Sequence, residues 1–261
     1  MFAKKSLGQN FLMHRQTGER IVLAAELPKG ATVLEIGPGT GMLTRELLKE
    51  GRRVTAVEAD GELVRGLSDT LASEIADGAL TLVHADIRAF DAETIPGDYH
   101  LVANIPYYIT GEIIRQFLTS AHQPSSMTLL VQKEVAERIA RAKKESLLSL
   151  SVKVYGTPRY CFTVPRGAFI PAPNVDSAVL RIGEISRALF SSDEEEARFF
   201  EVIRAGFAHK RKRLAKNLET HWPREVVTGA FDAAGLSKNI RSEDLSLDTW
   251  LMLARHLASA R

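Results

Sequence analysis

Short runs of β-branched and apolar residues alternate with longer amphipathic stretches over the first 180 or so residues of this chain. The stretches between the runs carry apolar residues at helical spacing. Strands separated by helices of this length form a parallel sheet with helices on both faces, so the sequence predicts an α/β fold. The predicted strands are residues 32–36, 53–57, 80–83, 101–103 and 127–131, and the predicted helices between them are residues 42–49 and 61–75.

The pattern changes in the last third of the chain. Residues 157–164 and 178–182 alternate in a way that predicts an antiparallel strand pair, joined by a proline-rich stretch. No strand pattern follows residue 184, and helical spacing predicts three helices, at residues 193–208, 223–234 and 247–258. The sequence therefore predicts two domains, an α/β domain at residues 1–185 and a small all-helical domain at residues 186–261.

Composition excludes several classes of protein. Hydrophobic residues make up 45% of the chain and charged residues 25%, as in ordinary globular proteins. No apolar run reaches the roughly 18 residues of a membrane-spanning helix, and no secretory signal pattern follows the basic start. The single cysteine, Cys161, rules out an internal disulfide, so we expect a cytoplasmic protein without a membrane partner. A net charge of +2 does not by itself argue for nucleic-acid binding.

The sequence EIGPGTG, residues 35–41, ends the first predicted strand and opens a helix. Glycines at such a turn adopt positive φ, and ligands of open α/β sheets bind at the carboxyl ends of the strands. A dinucleotide fingerprint requires a third glycine where Met42 stands, and no phosphate-binding Gly-Lys-Ser/Thr pattern is present. Gly37 and Gly39 are therefore candidates to contact a ligand that needs no phosphate clamp. A purely structural turn is the alternative.

Acidic residues follow the next two predicted strands. Glu58 comes 21 residues after Gly37, where a carboxylate can accept hydrogen bonds from both ribose hydroxyls. Asp86 follows the third strand, where it can accept a hydrogen bond from the exocyclic amine of adenine. Either acid alone could be a helix cap, but a glycine loop and two acids at three successive strand ends favour a ligand. Ribose and adenine without phosphates predict S-adenosylmethionine, whose sulfonium also explains why the loop lacks Lys and Arg.

The stretch NIPYYIT, residues 104–110, follows the fourth strand at the same predicted edge. The Asn104 side chain and the Ile105 backbone carbonyl can accept the two N6 hydrogens of an adenine and aim the nitrogen lone pair at a methyl group. Pro106 keeps the turn rigid, and Tyr107 can stack on an extruded base. The stretch therefore predicts methylation of an amine on an aromatic ring.

Two further aromatic positions have separate predicted roles. Tyr108, with Ile109, is expected to pack on the sheet. Phe169 opens the proline-stiffened sequence FIPAPNVDS and is the candidate to hold the second face of the base. A core phenylalanine under that loop is the alternative.

Five stretches together resemble the ribosomal RNA adenine N6,N6-dimethyltransferases, from Lys5 to about Leu253. The resemblance implies a Rossmann-like methyltransferase fold with a mostly parallel seven-stranded sheet, S-adenosylmethionine as the donor, and no metal. It also implies that two adjacent adenines near the 3′ end of 16S rRNA, in the small ribosomal subunit, are dimethylated. We expect a monomer. The stretches are KSLGQNFL (5–12), EIGPGTG (35–41), NIPY (104–107), QKEV (132–135) and FIPAPNVDS (169–177).

The same resemblance assigns roles to single residues. It implies that Asn10 and Leu12 line the methionine end of the donor and that Tyr107 and Phe169 hold the target base. His14 stands where the family usually has an acid or an amide. The residues that the resemblance implies hold the rest of the donor are Gly37, Glu58, Asp86 and Asn104.

Six basic residues fall within 13 positions that contain no acid. This cluster predicts contacts with RNA phosphates, with a solvated surface as the alternative. Residues 207–218 also resemble the basic helix of the small-subunit branch of the family, and residues 241–246 resemble its late motif. The cluster is Arg204, Lys210, Arg211, Lys212, Arg213 and Lys216.

Other functions remain as alternatives at this point. The large-subunit rRNA adenine methyltransferases and mitochondrial transcription factors share these motifs, and an RNA-binding assembly factor with dispensable catalysis would keep the basic cluster. A nicotinamide-dependent dehydrogenase is disfavoured by Met42.

Overall fold

The computed structural model describes residues 9–258, so the first four residues of the KSLGQNFL stretch lie outside the described part of the chain. The chain divides into two compact units. The first unit runs to Ala140 and resumes at Gly156–Ser186, and the second comprises Arg141–Tyr155 and the chain from Arg187 onward.

The first unit carries nine strands and six helices in its described part. The strands are β1 (Phe11–Leu12), β2 (Thr32–Ile36), β3 (Arg53–Glu58), β4 (Leu80–His84), β5 (Tyr99–Asn104), β6 (Ser126–Gln132), β7 (Thr157–Val164), β8 (Phe169–Ile170) and β9 (Ser177–Gly183). The helices are α1 (Arg15–Ala25), α2 (Met42–Leu47), α3 (Gly61–Thr70), α4 (Ala72–Ala76), α5 (Thr110–Leu118) and α6 (Lys133–Ala140).

Seven of these strands form one sheet in the order β4-β3-β2-β5-β6-β9-β7. The strands from β4 to β6 are parallel, and β9 lies antiparallel between β6 and β7. The predicted α/β fold with a mostly parallel sheet is confirmed, as is the antiparallel pair after residue 156. The two remaining strands, β1 and β8, form a separate antiparallel pair that the sequence did not predict.

The register of the parallel strands brings their carboxyl ends to one edge. Ile36, at the end of β2, is aligned with Val57 of β3 on one side and with Ala103 of β5 on the other. The residues that follow these positions therefore emerge side by side. Both faces of the sheet are covered, which explains why β6 is buried at every position from Ser126 to Val131.

The described residues of the second unit form helices joined by turns and no strand, as predicted for the chain after residue 184. The predicted first domain had included residues 141–155, whereas the structure groups them with the helices. Within this unit, the Glu145 backbone N–H donates to the Glu243 carbonyl over 2.8 Å, and the Tyr155 hydroxyl donates to the Glu196 carboxylate. The helices are α7 (Leu147–Lys153), α8 (Asp193–Gly206), α9 (Leu214–Leu218), α10 (Arg224–Ala233) and α11 (Leu247–Ala258).

The basic stretch at residues 207–218 is not the continuous helix that the resemblance implied. Helix α8 ends at Gly206 and α9 begins at Leu214, so the basic residues between them lie in a turn. The Asn217 side-chain amide stabilises this turn, because its Nδ2 donates to the Gly206 carbonyl over 2.5 Å and to the His209 carbonyl over 3.2 Å. These bonds satisfy carbonyls that a longer helix would have used. None of the described helices has the length and apolar character needed to cross a membrane.

Candidate active site

A cleft opens at the carboxyl edge of the first unit's sheet. Its empty space, with the solvent at its mouth included, is about 880 Å³. The structure brings seven of the predicted site residues together there. They are Asn10, Gly37, Gly39, Glu58, Asp86, Asn104 and Tyr107.

The glycine loop joins β2 to α2 along the floor of this cleft. Gly39 has φ 59°, and a Cβ there would stand 3.1 Å from the ring of Phe11. Gly41 has φ 77°, and a Cβ there would stand only 2.7 Å from a methyl group of Leu67. Glycine is therefore required at position 41, immediately before Met42, because α3 packs close to the start of α2. This requirement comes from packing within the fold and not from a ligand.

Glu58 ends β3 directly beside the loop and is 6% exposed. One carboxylate oxygen accepts from the Gly39 N–H over 3.1 Å, and the other accepts from the Asp60 N–H over 2.9 Å. Burial raises the pKa of Glu58, while the backbone donors at Asp60 and Gly39 oppose the rise. The carboxylate is thus held in one orientation and retains lone pairs for two ligand hydroxyls.

Asp86 has a partner, Arg88, that its place in the sequence does not predict. Its two carboxylate oxygens accept from the Arg88 guanidinium over 2.5–3.1 Å, and one of them also accepts from the Arg88 backbone N–H over 2.9 Å. The side-chain bond to Arg88 lowers the pKa of Asp86. An adenine amine at this position must therefore share the carboxylate with Arg88 or displace it.

The stretch NIPYYIT forms a short 3₁₀ turn between β5 and α5 at the mouth of the cleft. At the end of β5, Asn104 donates from Nδ2 to the backbone carbonyl of Asn10 over 3.0 Å. The hydroxyls of Tyr107 and Ser177 are 2.6 Å apart and hydrogen-bonded, which fixes the tilt of the half-buried ring. Burial raises the pKa of Tyr107, with the Ser177 bond opposing, so the phenol is neutral near pH 7.

The two residues after Tyr107 behave differently from each other. Ile109 is buried, in agreement with the prediction that it packs on the sheet. Tyr108 is 65% exposed at the mouth of the cleft, so the prediction that it also packs there is wrong. Of Tyr108 and Ile109, only Ile109 faces the core in this turn.

Two predicted site residues do not line the cleft. Phe169 is 2% exposed and Leu12 is 5% exposed, and both side chains belong to the core of the first unit. The two residues are aligned in the β1–β8 pair, where side chains alternate between faces, so Ile170 is exposed instead. The structure therefore corrects the expectation that the Phe169 ring stands opposite Tyr107. The FIPAPNVDS stretch instead reaches the site through Ser177.

The predicted RNA-binding cluster lies on the second unit. All six side chains are exposed, and Lys216 forms an ion pair with Glu219 over 2.5 Å. The role of these residues in RNA binding stays a prediction.

Known proteins are similar to this chain over most of its length. The family model described as "Ribosomal RNA adenine dimethylase" matches residues 2–259. This chain belongs to that family. Two relatives named ribosomal RNA small subunit methyltransferase A are similar over most of their length. The one from Dehalococcoides mccartyi is 40% identical over 257 residues, which cover 96% of this chain and 87% of the relative. The one from Geobacillus thermodenitrificans is 37% identical over 269 residues, covering 97% and 90%.

Solved structures share this fold. The 23S rRNA methyltransferase ErmE superposes with a TM-score of 0.77 at 29% identity, over 95% of this chain and 100% of that one. A dimethyladenosine transferase from Plasmodium falciparum superposes with a TM-score of 0.81 at 23% identity, over 93% and 95%. The second likeness supports the fold alone.

Proposed function

We propose that this dimethylase-family member transfers methyl groups from S-adenosylmethionine to N6 of two adjacent adenines near the 3′ end of 16S rRNA. The substrate is the small ribosomal subunit or its precursor, and the protein acts as a cytoplasmic monomer. The observation that carries the proposal is that the Asn104–Tyr107 turn opens onto the same cleft as Glu58 and the glycine loop.

The donor half of the cleft suits a nucleoside that carries no phosphate. Glu58 is oriented by two backbone donors and can accept from both ribose hydroxyls. Asp86 can accept from the adenine amine, and the positive φ of Gly37 and Gly39 lets the ligand lie against the backbone. Bound there, S-adenosylmethionine supplies a methyl group carried on a positively charged sulfur. Among the described residues, no group of three or more His, Cys, Asp or Glu side chains is arranged to hold a metal ion.

The acceptor half of the cleft suits a flipped adenine. Tyr107, with its hydroxyl tethered to Ser177, offers a ring face on which the base can stack. The Asn104 side-chain oxygen and the Ile105 carbonyl can then accept the two hydrogens on N6. This positions the nitrogen lone pair, which is otherwise delocalised into the purine ring, toward the methyl carbon. In this arrangement the base stacks on Tyr107 alone, whereas the sequence predicted that Tyr107 and Phe169 hold it from both sides.

The small subunit is favoured over the large subunit by the named relatives and by the basic cluster. The relatives at 37–40% identity carry the small-subunit name, whereas ErmE is 29% identical. The exposed cationic turn between α8 and α9 suits phosphate contacts.

The test is incubation with labelled S-adenosylmethionine and unmodified small subunits, beside protein-free large-subunit RNA, followed by nucleoside analysis. We expect dimethyladenosine in the small-subunit RNA. Label confined to the large-subunit RNA would overturn the choice of substrate. Asn104→Ala should abolish turnover and retain donor binding by calorimetry, while Asn174→Ala, an exposed asparagine outside the cleft, should behave as wild type. Normal turnover by Asn104→Ala would contradict the assigned chemistry.

The RNA-binding assignment has its own test. Reversing Arg211 and Arg213 to Glu should weaken small-subunit binding strongly and make it less dependent on salt, because fewer phosphate counterions are released. Donor affinity should not change. The matched control reverses Arg65 and Arg224, which are both exposed and lie outside the cluster. Unchanged methylation of assembled subunits by the Arg211/Arg213 variant would refute the assignment.

A further inference from the structure

The Asn104 side chain has a donor end and an acceptor end, and only one orientation places the acceptor toward a substrate amine. Its Nδ2 lies 3.0 Å from the backbone carbonyl oxygen of Asn10. A carbonyl oxygen can only accept a hydrogen bond, so the amide must turn its NH₂ group toward it. Oδ1 then points the other way, and no described residue donates a hydrogen bond to it.

The carbonyl that imposes this orientation is itself held in place. We call residues 9–13 the N-terminal strap. Before Asn10, Gln9 donates from Nε2 to the Asp60 carboxylate over 3.2 Å. After it, Phe11 and Leu12 pair with β8, and the Met13 N–H donates to the Ala168 carbonyl over 2.9 Å. The strap is therefore fixed on both sides of the carbonyl, by α3 at one end and by the β8 segment at the other.

We propose that the Asn10 backbone carbonyl is a positioning group that orients the Asn104 amide for N6 methylation, and that it makes asparagine rather than aspartate the residue this turn requires. The proposal rests on the proposed function. Aspartate carries the same acceptor oxygen for N6, and it would serve equally well if the acceptor were all that mattered. In this chain its second oxygen would face the Asn10 carbonyl with no proton between two acceptors.

An aspartate at this position can recover the missing bond by taking up a proton. Its protonated oxygen would donate to the Asn10 carbonyl, and its other oxygen would accept from N6, which reproduces both ends of the amide. Partial burial and the facing carbonyl oxygen both disfavour the charged form, so this protonation should occur at an accessible pH. The other ionisable groups of the cleft are Glu58, Asp86, Arg88, Tyr107 and Tyr108.

The experiment compares Asn104→Asp with Asn104→Ser and wild type in single-turnover methylation of small subunits, at saturating donor, from about pH 8.5 to about pH 5.5. Because all three proteins share the other ionisable groups, rates are expressed as ratios to wild type. We expect Asn104→Asp to be at least about 100-fold slow at the alkaline end, as for loss of a preorganised polar contact. Its ratio to wild type should rise about tenfold per pH unit on acidification, until the carboxyl is protonated.

Asn104→Ser removes the amide without introducing an acid, so its deficit should not change with pH. A ratio for Asn104→Asp that is flat with pH, or a rate near that of wild type at the alkaline end, would overturn the proposal. Donor binding by calorimetry reports whether each variant is folded.

A second measurement needs neither a variant nor a substrate. In unliganded wild-type protein, NMR should show slowed hydrogen exchange at the Asn104 side-chain amide relative to the exposed Asn174 side chain. Equal exchange at the two amides would overturn the proposal. Slowed exchange in a protein that methylates no ribosomal RNA would instead count against the proposed function and leave the hydrogen bond established.

Discussion

Glu35 is an ionisable residue buried inside the sheet, and its replacement tests how this burial affects stability. Its side chain is 1% exposed, in a strand position aligned with Ala56 and Val102. Burial raises its pKa from the ordinary 4.5 to about 8; the Thr44 hydroxyl opposes the rise and the charge of Glu58 adds to it. Glu35 is therefore neutral in the folded protein near pH 7 and ionised in the unfolded chain.

The sign of the pH dependence follows from this difference. Between pH 4.5 and about 8 the folded protein keeps a proton that the unfolded chain has lost. The contribution of Glu35 to the free energy of unfolding is therefore greatest below pH 4.5 and falls by about 1.4 kcal/mol per pH unit toward pH 8. By about pH 7 the loss reaches about 3 kcal/mol, against a total stability of about 5–15 kcal/mol for most domains.

Glu35→Gln keeps the shape of the side chain and removes this ionisation. We expect the stability of the variant relative to wild type to increase by about 4 kcal/mol between about pH 5 and about pH 8. The assay is urea unfolding followed by circular dichroism at several pH values in this range. The control is Glu93→Gln, which removes one exposed carboxylate of the same unit. Curves for wild type and Glu35→Gln that stay parallel across the pH range would refute the reasoning.

Two further substitutions test contacts around the cleft. Ser177→Ala removes the partner of the Tyr107 hydroxyl, and loss of a bond worth about 0.5–1.5 kcal/mol should reduce kcat/KM for RNA about two- to tenfold with donor affinity unchanged; an equal loss in donor binding would contradict it. Arg88→Ala frees the Asp86 carboxylate from an exposed ion pair of about 0.2–1 kcal/mol, so calorimetry should find donor affinity raised by no more than about fivefold. A marked fall in affinity would show that Arg88 contacts the donor instead.

The parts of the site that lie at strand ends could be predicted from the sequence. Parallel strands in a covered sheet produce apolar runs, and the polar residue that follows each run must emerge at the carboxyl edge. Gly37, Glu58 and Asn104 were found in this way, and all of them line the cleft. The required information is local, because each strand and the turn after it are adjacent in the chain.

Contacts between residues far apart in the chain could not be predicted from the sequence, because no local pattern marks them. Asn104 bonds to a residue 94 positions away, and Tyr107 to one 70 positions away. The pairing that buries Phe169 involves two-residue strands, which are too short to show a period. The basic helix is interrupted where the Asn217 side-chain amide bonds to the Gly206 carbonyl. Asn217 is uncharged and is not one of the residues that define the basic cluster.

The position of β9 has a consequence for synthesis of the chain. This strand is the last of the sheet to be translated, yet it is inserted between β6 and β7. A nascent or truncated chain that stops before Ser177 leaves one side of the buried strand β6 as an open edge, with backbone groups free to pair with another molecule. Aggregation of incomplete chains should therefore depend mainly on whether translation has passed Gly183, and less on the residues that bind the donor.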